Sequence, residues 1–171
     1  MKPPILLKTI LDIAFYFFAI SIVGAMFFLI AGIYNGTTLI PLYINGKEVT
    51  DFTSFTVGLL ISQFLIAVLI LYTIYLLRKL IRNFFTGKLF TKFQIASLKL
   101  IGKLIIVAIL AQALLEFIGR LYLQKKASLG IEFDLEYGSF WFVLSIGLFF
   151  IFLSKVLQNA KKLKEENELT V

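Results

Sequence analysis

Four long apolar runs limit what this chain can fold into more than any other feature. The first extends from Ile13 to Ile33, the second from Phe55 to Leu77, and two more follow in the second half of the sequence. A helix needs ~20 apolar residues to cross the hydrocarbon core of a bilayer, whereas the apolar region of a signal peptide has ~7–15. The runs therefore predict a multi-pass membrane protein that retains its first span.

The composition excludes a soluble domain. The chain is 60% hydrophobic and 16% charged, whereas a soluble domain is typically ~45–50% apolar and ~25% charged. We expect one transmembrane domain over residues 1–171. Its predicted parts are spans at about 10–34, 55–77, 100–122 and 140–157, a basic loop at 78–99 and a tail at 158–171.

The two loops on the other side of the membrane carry strand signals. Asn45-Gly46 lies between LIPLYI and KEV, a pattern typical of a β-hairpin. In the loop between the third and fourth spans, IEFDLEY alternates apolar and acidic residues, which indicates a strand with one buried face. The predicted fold is therefore an all-α integral membrane protein with four transmembrane helices and a small extracytoplasmic β-sheet built from loops 1–2 and 3–4.

The stretch from Leu77 to Leu104 is basic and contains no acidic residue. Thr91 and Gln94 form a capping-box pattern, T-x-x-Q, which predicts that a helix starts there. Its apolar and basic sides suggest an amphipathic helix that lies at the headgroup level and runs into the third span. The candidate docking or lipid-headgroup surface is Arg78, Lys79, Arg82, Lys88, Lys92, Lys99 and Lys103.

The distribution of basic residues predicts the orientation. With four spans, 13 of the 17 Lys and Arg residues fall on the side that holds both termini and the middle loop. Cytoplasmic loops carry the excess of Lys and Arg in membrane proteins. We therefore expect both termini and the 78–99 loop to be cytoplasmic, where the cations meet the anionic headgroups of the lipid bilayer.

Gln112, Glu116 and Arg120 are spaced four residues apart in the third span and so share one helical face. The simpler interpretation is an ion pair that stabilises the outer end of this helix by a few tenths of a kcal/mol. The functional interpretation is a polar point inside the bundle that senses or binds a ligand. Asp12 is interpreted as an acid near the positive end of the first helix dipole.

Catalytic and cofactor chemistry finds little support. The chain has no Cys and no His, which excludes disulfides, thiolate chemistry and His-based metal or acid–base sites. It also has no Gly-rich phosphate loop and no H-E-x-x-H or G-x-S-x-G motif. We expect no enzymatic activity, no cofactor and no direct contact with nucleic acid.

Three segments resemble a known family: FFTGKLFT, KLIGKL and the closing KLKEENELTV. They are similar to a bacterial four-helix membrane family known as domain of unknown function 2975. The chain departs from that pattern at Lys92-Phe93-Gln94, where the family tends to have an acidic residue and Asn. The resemblance implies a bacterial cytoplasmic (inner) membrane protein, and family members are often encoded beside a small helix-turn-helix regulator.

Two hypotheses for function follow. In the first, the protein is a regulatory or sensing membrane component that docks a helix-turn-helix regulator or another cytoplasmic protein on the basic stretch and the tail. Glu165, Glu166 and Glu168 could then contact the basic loop until a partner displaces them. In the alternative, the chain forms a homo-oligomer that serves as a pore or small carrier, with Glu116 and Arg120 lining the path.

Overall fold

The computed structural model describes residues 5–35, 42–44, 47–49, 53–85, 90–124 and 140–169. Four helices and two short strands make up these residues. In chain order they are α1 (Ile5–Asn35), β1 (Leu42–Ile44), β2 (Lys47–Val49), α2 (Ser54–Phe84), α3 (Lys92–Gln124) and α4 (Phe140–Leu169).

Each helix is longer than the hydrocarbon core is thick. The helices have 30 to 33 residues, which at ~1.5 Å per residue gives about 45–50 Å against a core of ~30 Å. All four are apolar enough to cross a membrane. The prediction of a transmembrane protein with four helices is confirmed, and the helices continue beyond the lipid at one or both ends.

The main helix contacts follow chain order, α1 on α2, α2 on α3 and α3 on α4. Aromatic pairs mark two of these contacts: the ring centroids of Phe15 and Tyr75 lie 6.3 Å apart, and those of Phe55 and Tyr122 lie 3.7 Å apart. Most large side chains of α1 are exposed. In a membrane protein these side chains face the lipid, so α1 is held mainly by α2.

The best-packed core lies near the basic end of the helices, which is the end that holds the start of α1, the end of α2, the start of α3 and the end of α4. Leu76 and Leu80 of α2 meet Leu98 and Ile101 of α3, and all four are buried. Phe150, Leu153 and Leu157 of α4 pack against them. Apolar burial drives association only where water is the alternative solvent, because lipid tails are as apolar as Leu. A core near the depth at which the helices leave the hydrocarbon is consistent with that rule.

α3 and α4 approach each other so closely that their backbones touch. A Cβ added to Gly102 would lie 2.6 Å from the carbonyl oxygen of Gly147, and one added to Gly147 would lie 3.1 Å from that of Gly102. Ser154 Oγ donates to the carbonyl of Ile95 at 2.9 Å. On each helix this contact lies seven residues from the glycine, toward the start of α3 and the end of α4. Small residues at such crossings are typical of membrane helices.

The capping box at the start of α3 is confirmed. Gln94 N donates to Thr91 Oγ1 and Thr91 N donates to Gln94 Oε1, both at 3.1 Å. Gln94 is fully buried and its Nε2 reaches the carbonyl of Asn83 at the end of α2. Phe90, directly before the cap, has a positive φ of 61°, which is unusual for a bulky residue and turns the chain into α3.

The amphipathic segment after Thr91 differs from the surface helix that the sequence suggested. It forms the first turns of α3, which continues without a break to Gln124. Its apolar residues Leu98 and Ile101 pack in the core between helices rather than in the acyl boundary of the lipid. The apolar periodicity was the same for both arrangements, and the contact with α2 and α4 decided between them.

The predicted β-sheet built from both outer loops is wrong. Among the described residues the sheet has two strands, both from the first loop: β1 and β2 pair antiparallel, with Leu42 opposite Val49 and Ile44 opposite Lys47. The IEFDLEY segment lies outside the described residues. Alternation of apolar and polar residues indicates an extended segment but does not specify a partner, whereas the two-residue connection of a hairpin brings its own partner.

The Gly102–Gly147 contact predicts that an added methyl group destabilises the protein at Gly102 but not at a glycine outside the crossing. We expect Gly102→Ala to destabilise the protein by about 1–3 kcal/mol, because its Cβ meets backbone that cannot move independently. Gly58→Ala is the matched control, since nothing lies within 4 Å of that position, and it should change stability by less than about 1 kcal/mol, in the stabilising direction. Thermal unfolding in detergent measures both; equal effects would contradict the close crossing.

Candidate functional site

The charged residues that border the uncharged parts of α1 and α2 meet at one point. Residues 13–35 of α1 and 54–77 of α2 contain no charged side chain, and Asp12 and Arg78 stand directly at their ends. A charge at this depth is expensive unless it is paired. The structure brings the two together as an ion pair between helices.

Arg78 is almost enclosed by one face of α1. Its Nε donates to Asp12 Oδ1 at 2.7 Å, and its guanidinium lies 4.4 Å from the ring centroid of Phe15 and 5.3 Å from that of Tyr16. Residues 12, 15 and 16 share a helical face because they are three and four positions apart. Only 12% of the Arg78 side chain is exposed, so it binds α1 rather than a partner at the surface.

A small groove, with a volume of about 10 Å³, lies beside this ion pair, between the first turns of α1 and the last turns of α2. Arg82 borders it with a side chain that is 58% exposed, and its Nη2 lies 3.6 Å from Asp12 Oδ1, a second and longer ion pair of the same carboxylate. Lys8 borders it from α1. The lining residues are Lys8, Leu11, Asp12, Arg78, Ile81 and Arg82.

The other predicted basic residues lie elsewhere. Lys79 Nζ lies 5.4 Å from the ring centroid of Phe93, a cation–π contact that holds it against α3. Lys92, Lys99 and Lys103 are exposed and, at spacings of seven and four residues, form one basic face of α3. Lys88 lies outside the described residues. The six described residues of this set therefore divide between the groove, the Phe93 contact and the α3 face.

The polar face of the third span is partly described. Gln112 Nε2 donates to Glu116 Oε1 at 3.1 Å, and both residues are half-buried. Arg120 is helical, but its side chain lies outside the described part of the chain. Extending the α3–α4 register from Ile95–Ser154 and Gly102–Gly147 puts Phe140 about level with residue 109. Gln112 and Glu116 thus lie beyond the first turn of α4.

The sequence of this chain matches the model of a known protein family. The family model described as "Protein of unknown function (DUF2975)" matches residues 42–171. The chain belongs to the DUF2975 family. The matched region contains Arg78, Arg82 and the α3 lysines, whereas Lys8 and Asp12 precede it. Neither the curated proteins nor the solved structures give a match to this DUF2975 protein.

The role of Asp12 was the main feature that sequence reasoning missed. Asp12 was interpreted as an acid near the start of a helix, but α1 begins seven residues earlier, at Ile5, and the carboxylate binds Arg78 on the next helix. A signal for this pair is present in the sequence. Asp12 and Arg78 stand at the ends of uncharged runs of nearly equal length, 13–35 and 54–77, and on two consecutive membrane-crossing helices these ends lie at similar depth.

The ion pair predicts a non-additive effect of substitutions. Asp12→Ala should destabilise the protein by about 1–3 kcal/mol, because it leaves the largely buried Arg78 without its carboxylate. Arg78→Leu should cost a similar amount, and the double variant should cost less than the two single effects combined. Thermal unfolding of the four proteins in detergent measures the coupling. Additive effects would show that the two side chains do not act as a pair.

Proposed function

We propose that this protein is a non-enzymatic regulatory or sensing component that binds a cytoplasmic protein through the basic face of α3 and the exposed end of α4. The observation that carries the proposal is the exposed end of α4. Leu157 packs in the core, yet the helix continues for twelve more residues to Leu169, about 18 Å. The register of α3 and α4 places Leu157 about level with Lys92, the first residue of α3.

This end of α4 stabilises itself and presents apolar side chains. Lys161 pairs with Glu165 at 3.4 Å and Lys164 with Glu168 at 3.7 Å, both within the helix. Leu163 is 64% exposed and Leu169 is 87% exposed. A helix that offers isolated Leu side chains between charges suits a groove on a partner protein. Glu165 and Glu168 thus have partners within α4, and contact of the tail acids with the basic loop stays a prediction.

The α3 face adds a site for an acidic partner. Lys92 is exposed level with Leu157, where the α4 extension begins, and Lys99 and Lys103 are exposed further along α3, level with Phe150 and Ile146 of α4. Such a basic face speeds association with an acidic surface and favours it over basic ones. The helix-turn-helix regulator that the family resemblance implies is the first partner to examine.

The proposal places this end in the cytoplasm of a bacterium, with the protein in the inner membrane. The distribution of 13 of 17 basic residues supports that orientation, and β1 and β2 then lie outside the cytoplasm. A partner for the α3 face and the α4 end is therefore a soluble cytoplasmic protein.

The orientation can be measured directly because the chain contains no Cys. We expect a Cys in Lys47→Cys to react with a membrane-impermeant maleimide on intact spheroplasts, and a Cys in Lys162→Cys to react only after permeabilisation. Lys92→Cys should behave like Lys162→Cys. The opposite pattern would place the proposed docking surface outside the cytoplasm and reject the proposal.

Docking should depend on the exposed Leu residues and on the α3 lysines. In pull-downs of the full-length protein in detergent, quantified by mass spectrometry, Leu163→Gln with Leu169→Gln should reduce recovery of the bound cytoplasmic protein about tenfold. Lys92→Glu with Lys99→Glu and Lys103→Glu should do the same. Asn159→Ala, on the exposed part of the same helix, is the control and should bind normally. Unchanged recovery with both multiple variants would refute this docking surface.

The alternative remains an oligomeric pore or small carrier, and the polar pair in α3 favours it. Glu116 stands within the span and is half-buried, so it could line a path formed by several copies. Gln112 already donates a hydrogen bond to its carboxylate, which a purely structural role also explains. We place this function second because a structural role explains the Gln112–Glu116 hydrogen bond, whereas no structural role explains the exposed end of α4.

A further inference from the structure

We propose that the groove between α1 and α2 binds the phosphate of an anionic phospholipid, held between Lys8 and Arg82. This inference concerns a different surface from the docking site on α3 and α4. It assigns a specific lipid site, distinct from the general attraction of basic residues to a charged membrane.

The helix register places the two cations opposite each other. Asp12 contacts Arg78 and Phe15 contacts Tyr75, so positions on the antiparallel α1 and α2 correspond in a regular way. One turn further toward the basic end, Lys8 on α1 corresponds to Arg82 on α2. Both line the groove, and a phosphate between them would meet an ammonium from one helix and a guanidinium from the other.

The charges of the groove favour an anion. Three cationic side chains and one carboxylate line it. Asp12 is occupied by Arg78, which turns most of its donors inward. Arg82 forms a longer ion pair with Asp12, at 3.6 Å, and its side chain is 58% exposed, so part of its guanidinium remains accessible to a phosphate, for which guanidinium geometry is well suited.

The surroundings of the groove fit a lipid better than a free phosphate ion. The groove lies next to the uncharged run of α1, and therefore at the boundary between hydrocarbon and headgroups. Two apolar side chains, Leu11 of α1 and Ile81 of α2, line the groove beside the cations. An acyl chain can lie along them while the phosphate occupies the cationic end, and a soluble phosphate would gain nothing from this apolar wall.

Such a lipid would connect α1 to α2. Among helices, α1 has its main contacts with α2, and its apolar surface is largely exposed. A phosphate that bridges Lys8 and Arg82 adds a second link beside the Asp12–Arg78 pair. The site would therefore make the association of α1 with α2 sensitive to the anionic lipid content of the membrane.

Native mass spectrometry of the full-length protein in detergent, titrated with phosphatidylglycerol or phosphatidylcholine, tests the site. We expect one phosphatidylglycerol to bind preferentially, and Lys8→Gln with Arg82→Gln to weaken this binding about tenfold. Lys99→Gln with Lys103→Gln removes the same charge from the exposed face of α3 and should weaken it less than about twofold.

Three results would overturn the proposal. Equal loss of binding in the two double variants would show attraction by net charge alone. Equal binding of phosphatidylcholine to the unmodified protein would show that the groove does not select an anion. Displacement of the lipid by millimolar inorganic phosphate would assign the groove to a soluble phosphate. None of these results depends on the pull-down of a cytoplasmic protein, so this site and the docking surface can fail separately.

Discussion

The rest of the structure depends on the lack of a hydrophobic drive between helices inside a bilayer. Lipid tails solvate Leu and Phe as well as another helix does, so association there requires close backbone packing or polar contacts. The protein uses the first at Gly102 and Gly147, where no side chain separates α3 from α4. It adds a conventional apolar core around Leu80 and Ile101 near the basic end, where water gives burial its usual value. The three helices α2, α3 and α4 are thus joined most firmly at one end.

α1 is attached by a different interaction. Its apolar side chains largely face lipid, and its strongest described contact is the ion pair between Asp12 and Arg78, reinforced by the rings of Phe15 and Tyr16. An ion pair between helices at the edge of the hydrocarbon is protected from water on one side and accessible to headgroups on the other. The same location that makes the pair strong therefore leaves a cationic groove next to the lipid, bordered by Lys8 and Arg82.

The basic end of this DUF2975 protein thus offers two surfaces of different chemistry. The α1–α2 groove is lined by three cations, one carboxylate and the apolar Leu11 and Ile81. The α3 face carries exposed lysines, and the α4 extension presents isolated Leu side chains between charges beyond the core.

The sequence by itself determined the features that short segments encode. Uninterrupted apolar runs specified four spans, T-x-x-Q specified the start of α3, and Asn45-Gly46 specified a hairpin whose strands pair as β1 and β2. Only the tertiary structure decided which distant residues meet. Asp12 and Arg78 are 66 positions apart, and the period of a helix identifies a face but not the helix that will cover it. For the same reason the alternating segment after the third span could not name its partner, and the three turns after Thr91 could not be told from a helix on the lipid surface.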